Sequence, residues 1–377
     1  MAHAVDNFFQ KTGRSDVRRY ATIMTCVEFF TYCDLVVTLF FAISAFLSIV
    51  YSEEDQLSNR VYGFLWLFVE IHVFGLIVVR LYHQSQCRDM YDRSLLIEQG
   101  IPKNYRRTIA MVIAYYCIMS TVHVTVPMLY TISSDSAQVG DPFAFPFADV
   151  LPIKTTNPTA YVCKYIVYAF PVYLTHLECC FMNVTFMYFT GVVKRHFQIL
   201  DQQVQEAVAN EDEQKLKIAI EYHQESLKFF KEMETVYEKP LIMTIEFCGL
   251  YIGLTGYIMI QCIQGIIHPI ILGLCIASST ASLITISIYC ICGSNMYDLH
   301  DGILNSLFEH QSCYSRNKSL KHLILMMMKR ATIPLELKAG SIFKINSNLL
   351  VKILKFTYTV FNLLLTSVNR QIKETAI

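Results

Sequence analysis

Five polar residues in an otherwise apolar stretch recur at spacings of four, three, four and three: Lys355, Thr359, Asn362, Thr366 and Asn369. That spacing gathers all five on one side of a helix. The segment that carries them, Leu349 to Val368, is long enough to cross a bilayer, since about 20 apolar residues at 1.5 Å each span roughly 30 Å. In hydrocarbon, a polar face needs water or a protein partner. Two readings satisfy that need: a water-filled pathway where copies of the helix meet, or hydrogen bonding to a neighbouring helix. Spacing alone leaves both open.

Other polar chemistry lies inside apolar runs, at Asp34, Glu70, His72, His123, His176, Glu178 and Glu246. Such residues are functional or paired. The reading here is mutual pairing near mid-depth for most of them, for example Glu70 with His123 or His176. Metal-ligand spacing, a nucleophile–base pair and a phosphate loop are not found, so no enzyme, metal or cofactor is expected. Cys290-Ile291-Cys292 lacks the second ligand pair that zinc requires.

The elements that must position these residues are membrane spans. The 377 residues are 54% hydrophobic and only 16% charged, with mean hydropathy +0.38. A soluble domain is nearer 25% charged, so the sequence predicts an integral membrane protein. Apolar runs at 29–51, 61–82, 108–132, 161–193, 241–267, 269–293 and 346–368 predict seven transmembrane helices. No secretory signal peptide is expected, because the first 28 residues are polar and the first apolar run is too long. Segments 1–28, 80–107, 194–240 and 294–355 together hold all the basic residues except Arg60, Lys154, Lys164, Arg370 and Lys373. The asymmetry predicts a cytoplasmic N-terminus and an extracellular C-terminus. The 13 cysteines fall in spans or on the cytoplasmic side and imply no disulfide framework, and no N-glycan is expected.

The loops are unequal. The 134–160 loop holds Pro142, Pro146, Pro152 and Pro158 among Phe143, Phe145 and Phe147, which predicts a stiff apolar cap on the outer surface. Segment 194–240 reads as helix continuing out of the membrane, with Leu216, Ile220, His223, Leu227, Phe230 and Tyr237 on one stripe. A second amphipathic stretch covers 298–332. The expectation is a compact cytoplasmic helical anchor domain shared between subunits; the alternative is helices lying flat on the inner leaflet. The predicted organisation is therefore 1–297 for spans one to six with the extension, 298–345 for the anchor helices, and 346–377 for the seventh span and a short outer tail.

One segment resembles a known family. Leu325-Met326-Met327-Met328-Lys329-Arg330-Ala331, Pro334-Leu335, Ala339-Gly340, Phe343, Ile353-Leu354-Lys355, Thr357-Tyr358-Thr359, Phe361 and Leu363-Leu364 resemble the final segment of insect odorant receptors. The chain departs from the family pattern at Val360, often an aromatic there, and at Leu365, often an arginine. Leu364-Leu365 stands where the sister gustatory family has Gln-Phe, which favours the odorant branch. The resemblance implies an odorant-gated non-selective cation channel in a sensory neuron's plasma membrane, built as a tetramer with a central pore lined by the last helix. The chain looks like the ligand-tuned subunit, working in a heterotetramer with a longer coreceptor, and no nucleic acid is implied. The alternatives are a gustatory-type channel and a G-protein-coupled receptor. The basic-residue distribution, and the lack of Asp-Arg-Tyr after span three and of Asn-Pro-x-x-Tyr in span seven, oppose the latter.

Combining stripe and resemblance makes Leu363 the gate and Asn362, Thr366 and Ser367 the lining residues of the pore. With Thr359 at zero, Asn362 falls at about 300°, Leu363 at about 40° and Thr366 at about 340°. An aliphatic ring among polar neighbours gates by dewetting. The stripe carries no carboxylate, so cation preference is implied by the family alone, and Arg370 is placed at the rim. For a small volatile, the family's outer-half pocket maps onto Trp66, Val69, His123, Pro127, Tyr130, Tyr165, Tyr168, Ala169, Ile276, Ser279 and Thr280. The chain's only tryptophan is the best single choice.

Overall fold

The computed structural model describes residues 32–50 in part, 57–94, 102–133, 157–265, 270–309, 318–340 and 342–375; the side chains of 57–62, 130–133 and 367–375 lie outside that description. The 134–156 part of the predicted cap, the side chain of Tyr130 and the side chain of Ser367 are among the residues not described.

Ten helices follow one another among the described residues. They are α1 (Asp34–Ile43), α2 (Leu57–Tyr82), α3 (Gln84–Ser94), α4 (Lys103–Ser133), α5 (Pro158–Ala209), α6 (Glu213–Ile263), α7 (Ile270–Tyr297), α8 (Leu299–Glu309), α9 (Lys318–Ala331) and α10 (Ser347–Thr375). Six of them, α2, α4, α5, α6, α7 and α10, are long and apolar enough to cross a membrane, and α1 is the described part of the first predicted span. The protein is a helical, multi-pass membrane protein. Apolar side chains point outward along the bundle, with Ile71, Ile118, Ile166 and Leu177 all more than half exposed. That is the pattern of a surface whose solvent is lipid.

Helices α5 and α6 run 52 and 51 residues. At 1.5 Å per residue each is about 75 Å long, more than twice the apolar thickness of a bilayer. They form a hairpin that projects beyond the bundle. Its turn is built from Asn210, Glu211 and Asp212. Glu211 takes a left-handed φ of 50°, and Asp212 caps α6 by accepting from the Lys215 N–H at 3.0 Å. The amphipathic stripe on the hairpin is buried against α8 and α9. Leu200, Val204, Ala207, Leu216, Ala219, Ile303, Leu307, Leu320 and Ile324 are all fully buried in one cluster.

The connection into the last helix is not helical. After Ala331 the chain leaves helix at Pro334 and forms a two-stranded antiparallel ribbon, β1 (Lys338–Ala339) with β2 (Phe343–Lys344), in which Ala339 pairs with Phe343. Gly340 takes φ 59° in its turn. The ribbon sits against Gly293 of α7, where a Cβ would come within 2.2 Å of the Ile345 carbonyl oxygen. Asn346 Oδ1 then accepts from the Leu349 N–H at 3.0 Å, and Ser294 pairs with Ser347 at 2.9 Å, which fixes the start of α10 on the end of α7.

At the centre stands α6, which packs against α2, α3, α5, α7, α9, α10 and β1. An aromatic ladder fastens it to α2: the His72 ring stacks on Phe247 at 4.1 Å, Phe68 stacks on Phe247 at 5.0 Å, and Phe247 stacks on Tyr251 at 5.1 Å.

Candidate ligand cavity and pore helix

Helices α2, α4, α5, α6 and α7 line a partly open cavity of about 120 Å³. A single water occupies about 10–15 Å³ on a comparable measure, so the space suits an organic molecule of several heavy atoms. Its wall is mostly apolar: Leu65, Trp66, Val69 and Leu76 from α2, Met182 from α5, Phe247, Cys248 and Tyr251 from α6, and Ile271 and Leu274 from α7. The polar side chains are His72, Tyr116, His123, Thr175, His176, Asn183, Thr244, Ser278, Ser282, Thr285 and Tyr289. Among the described residues, no acid, lysine or arginine lines it.

Three of the expected ligand residues, Trp66, Val69 and His123, line this cavity. The Trp66 and His123 rings meet edge to face at 6.3 Å, and His123 lies 4.9 Å from His176. The remaining expected residues with described side chains sit elsewhere. Tyr165, Tyr168 and Ala169 do not line the cavity but are buried in the apolar cluster that also holds Trp66 and Leu65; the Tyr165 hydroxyl donates to the Val124 carbonyl, and Tyr168 packs edge to face on Phe41 at 6.0 Å. Pro127 is buried in α4 away from the cavity wall. Ser279 is buried against Thr255 at 2.6 Å, whereas Ile276 and Thr280 are exposed on the outside of α7. The structure adds residues the sequence reading did not gather, chiefly Thr175, Cys179 and Asn183 from α5 and Thr244, Phe247, Cys248 and Tyr251 from α6. The four on α6 keep the spacing of one helix face, a signal any core helix also gives.

Intramembrane pairing also differs from expectation. Glu70 accepts from the Thr175 hydroxyl at 3.2 Å rather than from a histidine. His123 and His176 each use Nδ1 on a backbone carbonyl of their own helix, Met119 at 2.9 Å and Val172 at 2.8 Å. Glu178 is paired with Arg80 at 2.7 Å, and the Arg80 guanidinium also lies 4.9 Å over the Phe181 ring. Arg80, counted among the inner-side basic residues where the run 61–82 ends, stands in the last turn of α2 and reaches back into the bundle.

Helix α10 buries one face and presents the other. Leu349, Ile353 and Thr357 are buried against α6 and α7. On α6 a run of small residues receives them: a Cβ at Gly249 would touch Phe356 and Ile353, one at Gly253 would meet Val360 at 3.0 Å, and one at Gly256 would meet Phe361 at 3.3 Å. With Thr359 at zero, the buried positions centre near 120° and the polar stripe near 330°, so the stripe points away from the packed face. Lys355, Thr359, Leu363 and Thr366 are exposed and Asn362 is half-buried. Only 17% of the apolar window of α10 is buried, against 33–50% in the other five long spans. Among the described spans, it is the one left most uncovered by its own chain.

A membrane bundle with an apolar internal cavity, a projecting helical hairpin and one uncovered amphipathic span describes a multi-span receptor. The comparisons agree. The family model described as 7tm Odorant receptor matches residues 78–358, which is 281 of the 377 residues. Among solved structures, the insect olfactory receptor OR5 from Machilis hrabei in complex with eugenol is similar with TM-score 0.69 and 13% identity, covering 95% of this chain and 92% of that one. The structure of the same receptor described without eugenol gives TM-score 0.66 and 12% identity, covering 94% of this chain and 92% of that one. No curated protein sequence matches. The chain belongs to the insect odorant receptor family.

Proposed function

We propose that this chain is the ligand-tuned subunit of an odorant-gated, non-selective cation channel in a sensory neuron's plasma membrane. It would assemble as a heterotetramer with a coreceptor, with its N-terminus in the cytoplasm and its C-terminus outside. The observation that carries the reading is the double role of α6: Phe247, Cys248 and Tyr251 line the cavity, while Gly249, Gly253 and Gly256 receive α10. A molecule that fits the cavity better in one arrangement of α6 than in another biases α10 with it. The fold is shared by a receptor solved in complex with eugenol, which supports a small organic ligand.

In this reading four copies of the last helix surround a pore, with Leu363 as the apolar constriction and Asn362, Thr366 and Ser367 lining the path beside it. The hairpin with α8 and α9 forms the cytoplasmic anchor domain, 298–345 joining 194–240. Ligand contacts are drawn from Trp66, Val69 and His123 with the α5 and α6 residues of the same cavity. A ligand of about 10 heavy atoms then binds in the high-micromolar to micromolar range. The test is co-expression with a coreceptor in oocytes and a screen of volatiles. The reading expects ligand-evoked cation current whose half-response concentration moves with Trp66→Ala; current independent of every cavity substitution would contradict it.

A further inference from the structure

We infer that the cavity selects neutral alcohols, with Asn183 as the residue that reads the ligand's hydroxyl hydrogen; the inference rests on the cavity being the ligand site. Asn183 lines the cavity and is only 2% exposed. Both hydrogens of its amide are committed, to the Tyr116 hydroxyl at 2.7 Å and to the Cys179 carbonyl at 2.9 Å. A carbonyl oxygen only accepts, so the amide cannot be flipped without setting oxygen against oxygen. The remaining atom, Oδ1, is buried and has no partner. A buried acceptor without a donor is unfavourable; Oδ1 is closed to a water-sized molecule, so a ligand O–H relieves it once the side chains around it give way. Esters, ketones and ethers bring another acceptor and leave the atom unpaired.

The rest of the wall narrows the class. A charged ligand would enter without a counter-ion among the described wall residues, which include no acid, lysine or arginine. The lining residues of α7 run from Ile271 to Tyr289, about 27 Å of helix at 1.5 Å per residue, so a modest volume is drawn out lengthwise. A slender hydrocarbon tail fits that shape, with its hydroxyl at the Asn183 end and its tail toward Trp66. In a helix bundle whose other polar wall groups include hydroxyls, Asn183 is a specificity residue: it decides which volatile of a given size binds.

The chain's single tryptophan lines the same cavity and gives a binding readout that does not need the channel to open. Purified full-length chain in lipid nanodiscs is titrated with n-octanol, heptyl methyl ether and n-nonane, which match in heavy-atom number, while Trp66 fluorescence is followed. Octanol is expected to bind about tenfold more tightly than the ether, the scale of one buried hydrogen bond. Asn183→Leu should bring the two within about threefold. Ether binding as tightly as octanol, binding of none of the three, or an octanol preference that survives Asn183→Leu each overturns the inference. The wild-type ranking decides even if Asn183→Leu does not fold. Octanol preferred in binding yet evoking no current with a coreceptor would leave this inference standing and overturn the gating role instead.

Discussion

The Thr357 hydroxyl of α10 donates to the Gly249 carbonyl of α6 at 3.2 Å, one residue along from Cys248 in the cavity wall. The cavity wall and the seat of α10 are thus two faces of one helix. Close approach at that seam depends on glycine, since a Cβ at Gly253 would lie 3.0 Å from Val360 and 3.4 Å from the Thr357 carbonyl. Gly253→Val should force α10 outward at a cost of about 1–3 kcal/mol. The expected result is maximal ligand-evoked current reduced several-fold at unchanged surface expression, with little change in the concentration for half response. Unaltered maximal current would show that the seam does not transmit.

Burial of the Arg80–Glu178 pair makes each partner depend on the other. The side chains are 13% and 4% exposed, so Arg80→Ala leaves a buried carboxylate without its cation. The destabilisation should be about 3–5 kcal/mol, read as lost thermal stability in detergent and reduced surface expression. Replacing both, as Arg80→Met with Glu178→Leu, should recover most of it. A double variant no better than Arg80→Ala alone would argue that the charges serve something besides each other.

Two histidines tie the projecting hairpin to the approach to α10. His300 Nδ1 donates to the Ile333 carbonyl at 2.6 Å, so that nitrogen carries the proton, and its Nε2 faces His223 Nε2 at 3.2 Å. Burial, the facing His300 and the charge of Arg330 hold His223 down at about 4; burial and Arg330 also lower His300, against opposing contributions from the Ile333 hydrogen bond and Asp301. The folded state therefore favours the neutral rings. Their contribution is full above the ordinary histidine value of about 6.5 and is lost as pH falls toward about 4. Thermal unfolding followed between those limits should show falling stability on acidification, and His223→Gln should flatten the slope. A flat wild-type profile would contradict this arrangement.

Trp66 and Tyr168 share one buried apolar cluster, but only Trp66 lines the cavity, and substitution should separate them. Trp66→Ala removes a cavity wall and should shift the half-response concentration by about tenfold or more, equivalent to about 1.4 kcal/mol. Tyr168→Ala empties a fully buried position of the same cluster that does not touch the cavity, and should cost about 3–5 kcal/mol of stability, seen as lost expression with sensitivity retained. Equal shifts in sensitivity would place Tyr168 in ligand contact.

Much of the architecture is legible in the sequence because lipid imposes it. Long apolar runs have to be helices, and the four-three stripes at Leu216–Tyr237 and Leu320–Met328 had to find a buried face, which they do against each other and α8. The polar stripe of α10 is legible for the same reason, and the structure turns it away from the chain's own core. The cavity is less so. Phe247, Cys248 and Tyr251 have the spacing of ordinary core residues, and nothing in periodicity separates a wall that touches a void from one that touches a neighbour. Ile276 and Thr280 match the assigned depth yet face outward, because depth along a helix does not give rotation about it. Arg80 shows the same limit for charge: its position at the inner end of a run reads as a cation facing the cytoplasm, while its long stem lets it return to Glu178.

Accessibility of Thr366 in the open channel tests the link between cavity and pore most directly. A Thr366→Cys chain co-expressed with a coreceptor is exposed to a charged thiol reagent from outside, with and without an activating volatile, and compared with the unsubstituted chain. Ligand-evoked current should be blocked by modification, and modification should be faster when the ligand is present. If the reagent leaves current unchanged in Thr366→Cys, or reacts at the same rate with and without ligand, the α10 stripe is not the ligand-gated path.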